Sequence, residues 1–347
     1  MTGRNIIVIG GSAGAIRPLE RIIASLPADL PAAVFVVLHI APYAGTGLLE
    51  QLGRFASLKV SVGSDGARFG NGDLVFAPPD HHLIVKSDHV KVVRTPRENL
   101  WRPSVDVLFR SAAVAHGSHV IGVILSGALD DGTAGLSAVR HCGGLTIVQS
   151  PADAEVASMP ESAIHNVSVD HVLNADAIAA ALEKSSRQPP LREVAVPADI
   201  LLESRFAETG MPSLEVNQQL GTLSAFTCSE CAGPLWQRNG EILRYRCLTG
   251  HALTARSLEQ GLNQNLDGAL WAAIRQFEQR ANLCRNMADD ERAHGRQRSA
   301  AAYDEREHEA RNHARVLRRM LQDATRVVET QPVVSTHGAL DIAPPMV

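Results

Sequence analysis

Ile6-Ile7-Val8-Ile9-Gly10-Gly11-Ser12-Ala13-Gly14-Ala15 is the stretch on which the reading of the fold turns. A run of β-branched residues without polar alternation describes a strand buried on both faces, as in a parallel sheet covered by helices. It ends in glycines and leads into the helix-like segment Ile16–Leu26. Ser12 is therefore expected on a tight strand-to-helix turn at the carboxyl edge of the sheet, where open α/β folds bind ligands. The same rhythm recurs outward from there: Val34–Leu38, Gly47–Phe55, Val60–Val62, a helix over Ser104–Ala115, a buried strand at Val120–Leu125, a helix from Thr133, a strand at Leu145–Gln149 and a helix over Ala175–Lys184. That alternation predicts an α/β fold with a doubly wound, mainly parallel sheet. Leu74–Ala77, Leu83–Val85 and Val90–Val93, separated by turn residues, predict an antiparallel hairpin inserted in it.

At 347 residues and roughly 150 residues per domain, the chain has room for about two domains. Its 33 basic and 37 acidic side chains give a formal charge of −4, which disfavours a generic nucleic-acid binder. The longest apolar stretch, Ala32 to Leu38, is far short of the roughly 18 residues that span a bilayer. Ile6–Ile9 is likewise too short for the core of a signal peptide. These features read as a cytoplasmic protein without a transmembrane segment. Five cysteines, three of them clustered in the C-terminal third, suit an intracellular metal site better than a disulfide framework.

Ser12 alone has rivals. A glycine-rich turn before a helix also cradles phosphates, but here the full G-x-G-x-x-G pattern is missing, no acidic residue ends a strand about 20 residues later, and there is no G-K-[ST]. Gly10-Gly11-Ser12-Ala13-Gly14 fits the G-x-S-x-G elbow of α/β-hydrolases literally, yet in that fold several strands precede the nucleophile, and Ser12 follows the first. Two further elements point to acyl chemistry. His39 closes the second strand, Val34-Phe35-Val36-Val37-Leu38-His39, at the same sheet edge as Ser12. The segment after the buried strand, Ser126-Gly127-Ala128-Leu129-Asp130-Asp131-Gly132-Thr133, offers a carboxylate to accept the imidazole Nδ1 hydrogen. Either aspartate could serve, a helix N-cap suits the same residues, and spacing does not choose between them.

These pieces together resemble the catalytic domain of the chemotaxis protein-glutamate methylesterase (CheB) family, over roughly residues 5 to 184. The resemblance is carried by Ile9-Gly10-Gly11-Ser12-Ala13-Gly14, Val37-Leu38-His39-Ile40-Ala41-Pro42, Arg102-Pro103-Ser104-Val105-Asp106-Val107-Leu108 and Leu125-Ser126-Gly127-Ala128-Leu129-Asp130-Asp131-Gly132, with Asp73 to Leu83 similar to the family's hairpin. It implies Ser12 as nucleophile, His39 as general base and Asp131, not Asp130, as the orienting carboxylate. It also implies hydrolysis of glutamyl methyl esters, and deamidation of glutamine side chains, on methyl-accepting chemotaxis receptors or related signalling proteins. Three departures stand out. The family's Gly-Met-Gly reads Gly127-Ala128-Leu129, which bears on the shape of an oxyanion hole fed by a backbone N–H of this loop. Ala13 and Ala15 stand where Thr and Gly are frequent. The catalytic strand starts at residue 5, so the expectation is a stand-alone enzyme without a receiver domain, its control absent, supplied in trans or exerted by the C-terminal region. A catalytically silent receptor-binding scaffold is the alternative.

Beyond the catalytic segment, Cys228-x2-Cys231, 15 residues and Cys247-x3-His251 offer three thiolates and an imidazole, a set for tetrahedral structural zinc with no open position for catalysis. Leu235-Trp236 and Leu243 to Arg246 are expected to form a small hairpin between the two half-sites. The organisation expected is a catalytic domain over 1–184, a partly packed linker over 185–222, a zinc-binding segment over 223–254, a helical hairpin over 255–326 that turns near Gly295 and takes a regulatory partner, and a disordered tail over 327–347. Catalysis needs no cofactor in this reading. Cys142 and Cys284 are expected as small core residues, His81 and His82 in the hairpin turn or at the site mouth, and Arg102 in a salt bridge at a helix start or against substrate.

Overall fold

The computed structural model describes residues 3–330, apart from Ala44, 191–192 and 211–212, with side chains through 323. Residues 331–347, most of the expected tail, lie outside the described residues. The chain forms two compact units, Met1–Gly261 and Leu262–Val347. Among the described residues no helix is long and apolar enough to cross a membrane.

In the first unit, β1 (Ile6–Gly11), β2 (Ala33–Leu38), β3 (Lys59–Val62), β4 (Asp73–Phe76), β7 (Val120–Ile124), β8 (Leu145–Gln149) and β9 (His171–Leu173) make one sheet in the order β3-β4-β2-β1-β7-β8-β9. Every pairing in it is parallel. Strands β1, β2 and β7 are buried along their whole length, as their unbroken apolar runs require when both faces are covered. One face carries α1 (Ile16–Ser25), α2 (Gly47–Gly53) and α6 (Ala175–Ser186), packing Leu19, Ile22, Ile23, Leu49, Ile178 and Leu182 against Ile7 and Ile9. The other carries α3 (Val105–His116), α4 (Thr133–His141) and α5 (Ser158–Asn166), whose Leu108, Phe109, Leu136, Val139, Met159 and Ala163 meet Ile6 and Val8.

The expected hairpin stands apart from this sheet. Leu74 to Phe76 belong to β4, parallel between β3 and β2, while β5 (His82–Val85) and β6 (Val90–Val93) pair only with each other. The physical reason lies in the hairpin's own apolar face: Leu83 and Val85 of β5 and Val90 of β6 are buried in the α3 core, and Val85 N–H is held by Ser111 Oγ at 3.0 Å.

Residues 185–222, read as a linker, hold α7 (Ala198–Thr209) and α8 (Leu214–Leu220). Ala207 of α7 packs on Val107 and Ile84. Next comes an antiparallel sheet of β10 (Gly221–Thr227), β11 (Pro234–Arg238), β12 (Arg244–Cys247) and β13 (Ala252–Thr254), with β11 and β12 forming the expected hairpin between the cysteine pairs. A buried ionic network ties this module to the catalytic part: Glu98 takes Arg110 at 2.8 Å and Arg246 at 3.0 Å, and Glu203 takes Arg238 at 2.7 Å and Arg244 at 2.8 Å.

The second unit is the expected helical hairpin, formed by α9 (Ala255–Ala293), which begins in the first unit, and α10 (Gln297–Thr330). It turns at Gly295, whose φ of 73° is a left-handed value that glycine adopts without strain. Ile274, Ala281, Cys284 and Ala288 are buried on one helix, and Ala300, Ala310 and Ala314 on the other. Leu262 and Leu266, in line with Ile274 at helical spacing, are exposed.

Candidate active site

The strand order reverses at β1, which pairs with β2 on one side and β7 on the other. Such a switch point opens a crevice at the carboxyl ends of the strands. The register aligns those ends, with Gly11 opposite Leu38 and Gly10 opposite both Val37 and Ile124. Ser12, His39 and the loop carrying Asp131 leave from three adjacent strands at this one edge. The His39 N–H donates to Gly11 O at 3.2 Å, and the Ser12 N–H to Ser126 O at 2.9 Å.

His39 and Asp131 are paired. His39 Nε2 lies 2.8 Å from Asp131 Oδ2, with both side chains at most 2% exposed. The ring nitrogen differs from the one expected: Nε2 meets the carboxylate, and Nδ1 is buried without a hydrogen-bond partner. The ring comes off the end of β2 beneath Trp101, whose indole stacks on it at 4.4 Å between centroids and 8° between planes.

The two aspartates have different surroundings. Asp131 Oδ1 accepts from Asn99 Nδ2 (2.9 Å), Ser104 Oγ (2.9 Å), Asp106 N–H (3.2 Å) and Gly132 N–H (3.1 Å), and Oδ2 accepts from Val105 N–H at 2.7 Å. Three of these donors come from the first turn of α3, whose free N–H groups and positive dipole end favour an anion. Gly10 makes that approach possible, because a Cβ there would lie 2.1 Å from Val105 Cγ1. Burial pushes the Asp131 carboxyl up, but the His39 contact, Asn99 and Val105 N–H outweigh it and hold it below the ordinary range. Asp130 accepts instead from Thr254 Oγ1 at 2.8 Å, and burial pushes it up to about 6. A third acid, Asp106, takes Gly135 N–H at 2.6 Å and Asn99 Nδ2 at 2.8 Å. Burial and the neighbouring Asp131 charge push it up to about 7, so that of these two close carboxyls Asp106 is the one that takes up a proton first as pH falls.

Ser12 is half-buried. Beside it Gly127 leaves space that a side chain would fill, its Cβ falling 2.9 Å from Ser12 Cβ and 2.0 Å from Met159 Sδ. The Gly127 N–H is committed to Val156 O at 2.9 Å, so among the backbone donors of this loop it is not the one open to an oxyanion. Leu129 follows with φ of 62°, a left-handed value on a bulky residue.

The remaining sequence candidates fall into supporting places. Arg102 is the salt bridge, donating to Asp80 Oδ1 at 2.6 Å and to Thr95 O at 2.8 Å. His81 lies in the turn, its Nδ1 2.9 Å from Pro79 O. His82 is fully buried, donates Nε2–H to Pro96 O and accepts Ser104 N–H on Nδ1. Burial brings it down to about 4, so it stays neutral. Asn99, Trp101 and Ser104 were not singled out from the sequence. Only the proximity of Asn99 and Trp101 to the Arg102-Pro103-Ser104 helix start marks them.

Cys228, Cys231, Cys247 and His251 converge, with all four ligand atoms within 4.8 Å of one another. Cys231 Sγ lies 3.7 Å from Cys247 Sγ, which is 3.6 Å from His251 Nδ1. A tetrahedron with zinc–sulfur bonds of about 2.3 Å has edges of about 3.8 Å. The donor chemistry and spacing therefore fit a four-coordinate zinc.

The sequence model of the CheB methylesterase family matches residues 7–182. The chain belongs to that family. A Leptospira interrogans relative named for both methylesterase and glutaminase activity is 37% identical over 174 residues, 50% of this chain and 90% of its own. A Methanosarcina acetivorans protein named protein-glutamate methylesterase/protein-glutamine glutaminase 2 is 36% identical over 184 residues, and the match spans 52% of its length. Among solved structures, the Thermotoga maritima CheB methylesterase catalytic domain superposes with a TM-score of 0.51 at 34% identity, covering 53% of this chain and 99% of that one. The cysteine–histidine module and the helical hairpin lie outside the residues matched to the family.

Proposed function

We propose that the chain is a protein-glutamate methylesterase, and a protein-glutamine deamidase, acting on methyl-accepting chemotaxis receptors or related signalling proteins in the cytoplasm. The observation that carries this is the buried His39–Asp131 pair, 2.8 Å apart at the sheet edge that also carries Ser12. Ser12 Oγ attacks the γ-carbonyl of the glutamyl ester while His39 takes its proton on Nδ1, the nitrogen Asp131 leaves free. Asp131 stabilises the imidazolium that results. The proton then passes to departing methanol, and water hydrolyses the acyl-serine by the same route. An amide substrate follows the same course with ammonia as the leaving group. Cys228, Cys231, Cys247 and His251 hold a structural zinc, which supplies cross-linking and no step of the reaction. The helical hairpin is the surface for a regulatory partner.

The test is methanol release from a methylated receptor fragment, with Ser12→Ala alongside and zinc determined on the same preparation. Loss of activity by several orders of magnitude in Ser12→Ala supports the reading. A folded, metal-loaded wild type that releases no methanol but retains the receptor in a pull-down sinks it in favour of the silent scaffold.

A further inference from the structure

Asn99 links two parts of the chain that are far apart in sequence. It is 3% exposed. Its Nδ2 donates to Asp131 Oδ1 at 2.9 Å and to Asp106 Oδ2 at 2.8 Å. Its other face meets the last strand of the cysteine–histidine module and the first turn of α9 that follows it: Oδ1 accepts Thr254 N–H at 3.0 Å and Ser257 Oγ of α9 at 3.2 Å, and its own N–H donates to Ala252 O at 2.8 Å. Asn99 and Leu100 have φ of 52° and 70°, two successive left-handed residues of a kind that persists only where the surroundings fix them. The module grips this turn at both the backbone and the side chain of Asn99, through Ala252 O and Thr254 N–H. Besides His39 from the end of β2, the other donors to Asp131 come from the start of α3 and from its own loop; Asn99 is the donor whose place is set from β13.

We infer that Asn99 and Ser257 are positioning residues for ester hydrolysis, through which the cysteine–histidine module fixes the Asp131 carboxylate and with it the His39 ring. This rests on the triad reading given above. It gives the module a part in the reaction although none of its side chains belongs to the Ser12, His39 and Asp131 set. An unpaired Asn99 would turn its carbonyl oxygen or a void toward two buried carboxyls, and the His39 partner would lose its fixed direction.

The test uses the full, metal-loaded chain and the rate at which a fluorophosphonate probe labels Ser12, which does not depend on the receptor. Four proteins are compared with wild type: Ser12→Ala, Asn99→Ala, Ser257→Ala and the Asn99/Ser257 double alanine variant. Asn99→Ala is expected to label roughly 10- to 100-fold more slowly, the range commanded by one hydrogen bond to a charged group. Ser257→Ala is slower by a smaller factor; the part of its effect that runs through Asn99 vanishes in the Asn99→Ala background, and what remains runs through Thr254, which Ser257 Oγ also meets and whose Oγ1 donates to Asp130. The acid limb of the rate profile moves to higher pH in Asn99→Ala, since a carboxylate that loses a donor holds its proton more tightly. His39, Asp106, Asp130 and His82 are the titratable neighbours of that carboxylate. Partial unfolding would lower the amplitude and leave the profile in place.

Additive effects, or a Ser257→Ala rate and profile within twofold of wild type with zinc bound, overturn the inference. The Ser257→Ala result decides alone if Asn99→Ala does not fold. Labelling that survives in Ser12→Ala brings down the triad reading instead, and this one with it.

Discussion

Replacing Glu98 by Gln probes the joint between the catalytic part and the module. Glu98 is buried, with Arg110 and Arg246 at 2.8 and 3.0 Å. Burial alone would raise its carboxyl, but the two guanidiniums bring it down from 4.5 to about 2. That difference, at roughly 1.36 kcal/mol per pH unit, corresponds to about 3 kcal/mol of stability. The figure agrees with the roughly 3–5 kcal/mol lost when one partner of a buried ion pair is removed. Glutamine keeps the volume, so no cavity term is added, and its amide hydrogens face guanidiniums that also donate. For a unit of this size about 3 kcal/mol lowers the melting temperature by roughly 6–12 °C.

The pH dependence has a definite sign. The folded carboxyl lies below its unfolded value, so its stabilisation is complete above about pH 4.5 and is lost as pH falls through about 2. Urea unfolding followed by the fluorescence of Trp101 and Trp236, both in this unit, measures wild type and Glu98→Gln at pH 7, 5 and 3. The gap between them should be full at pH 7 and 5 and narrower at pH 3. A gap under about 1 kcal/mol at pH 7, or one that stays constant down to pH 3, refutes the reasoning.

Three further outcomes are expected. Asp106→Asn should flatten the pH dependence of stability. Asp106 is raised to about 7 in the fold, so wild type loses stability as pH climbs from about 4 through 7, and denaturant midpoints across that window compare the two slopes. Cys231→Ser should abolish stoichiometric zinc by elemental analysis, while Cys142→Ser, a core position away from the cluster, keeps it. His39→Ala should reduce methanol release by several orders of magnitude, because nucleophile and base act as one unit, and combining it with Ser12→Ala should reduce release little further.

Much of the catalytic fold was legible because its central strands are buried on both faces, which an unbroken apolar run such as Val120–Ile124 reflects directly. Ser12 and His39 were legible for a related reason: in a parallel sheet the end of each strand falls at one edge, so strand ends predict neighbours. The choice between Asp130 and Asp131 was not contained in spacing. It is made by which carboxylate the first turn of α3 approaches, a consequence of the close contact between Gly10 and Val105. The direction of the imidazole was misread because nothing in the chain order says which ring nitrogen faces the carboxylate. The hairpin of β5 and β6 was drawn into the sheet because its apolar alternation says that it is buried, but not against what. Asn99 was invisible for a different reason. It lies in an irregular turn, and the partners that give it meaning, Thr254 and Ser257, lie 155 and 158 residues away.

That separation bears on the order in which the protein is made. A ribosome delivers Ser12 first and the residues that close the polar shell around Asp131 near the end of the first unit. A nascent chain that has folded its parallel sheet already displays the serine, the imidazole and the carboxylate, but lacks the strand that sets Asn99. Thr254 and Ser257, which hold Asn99, thus leave the ribosome after every strand of the parallel sheet.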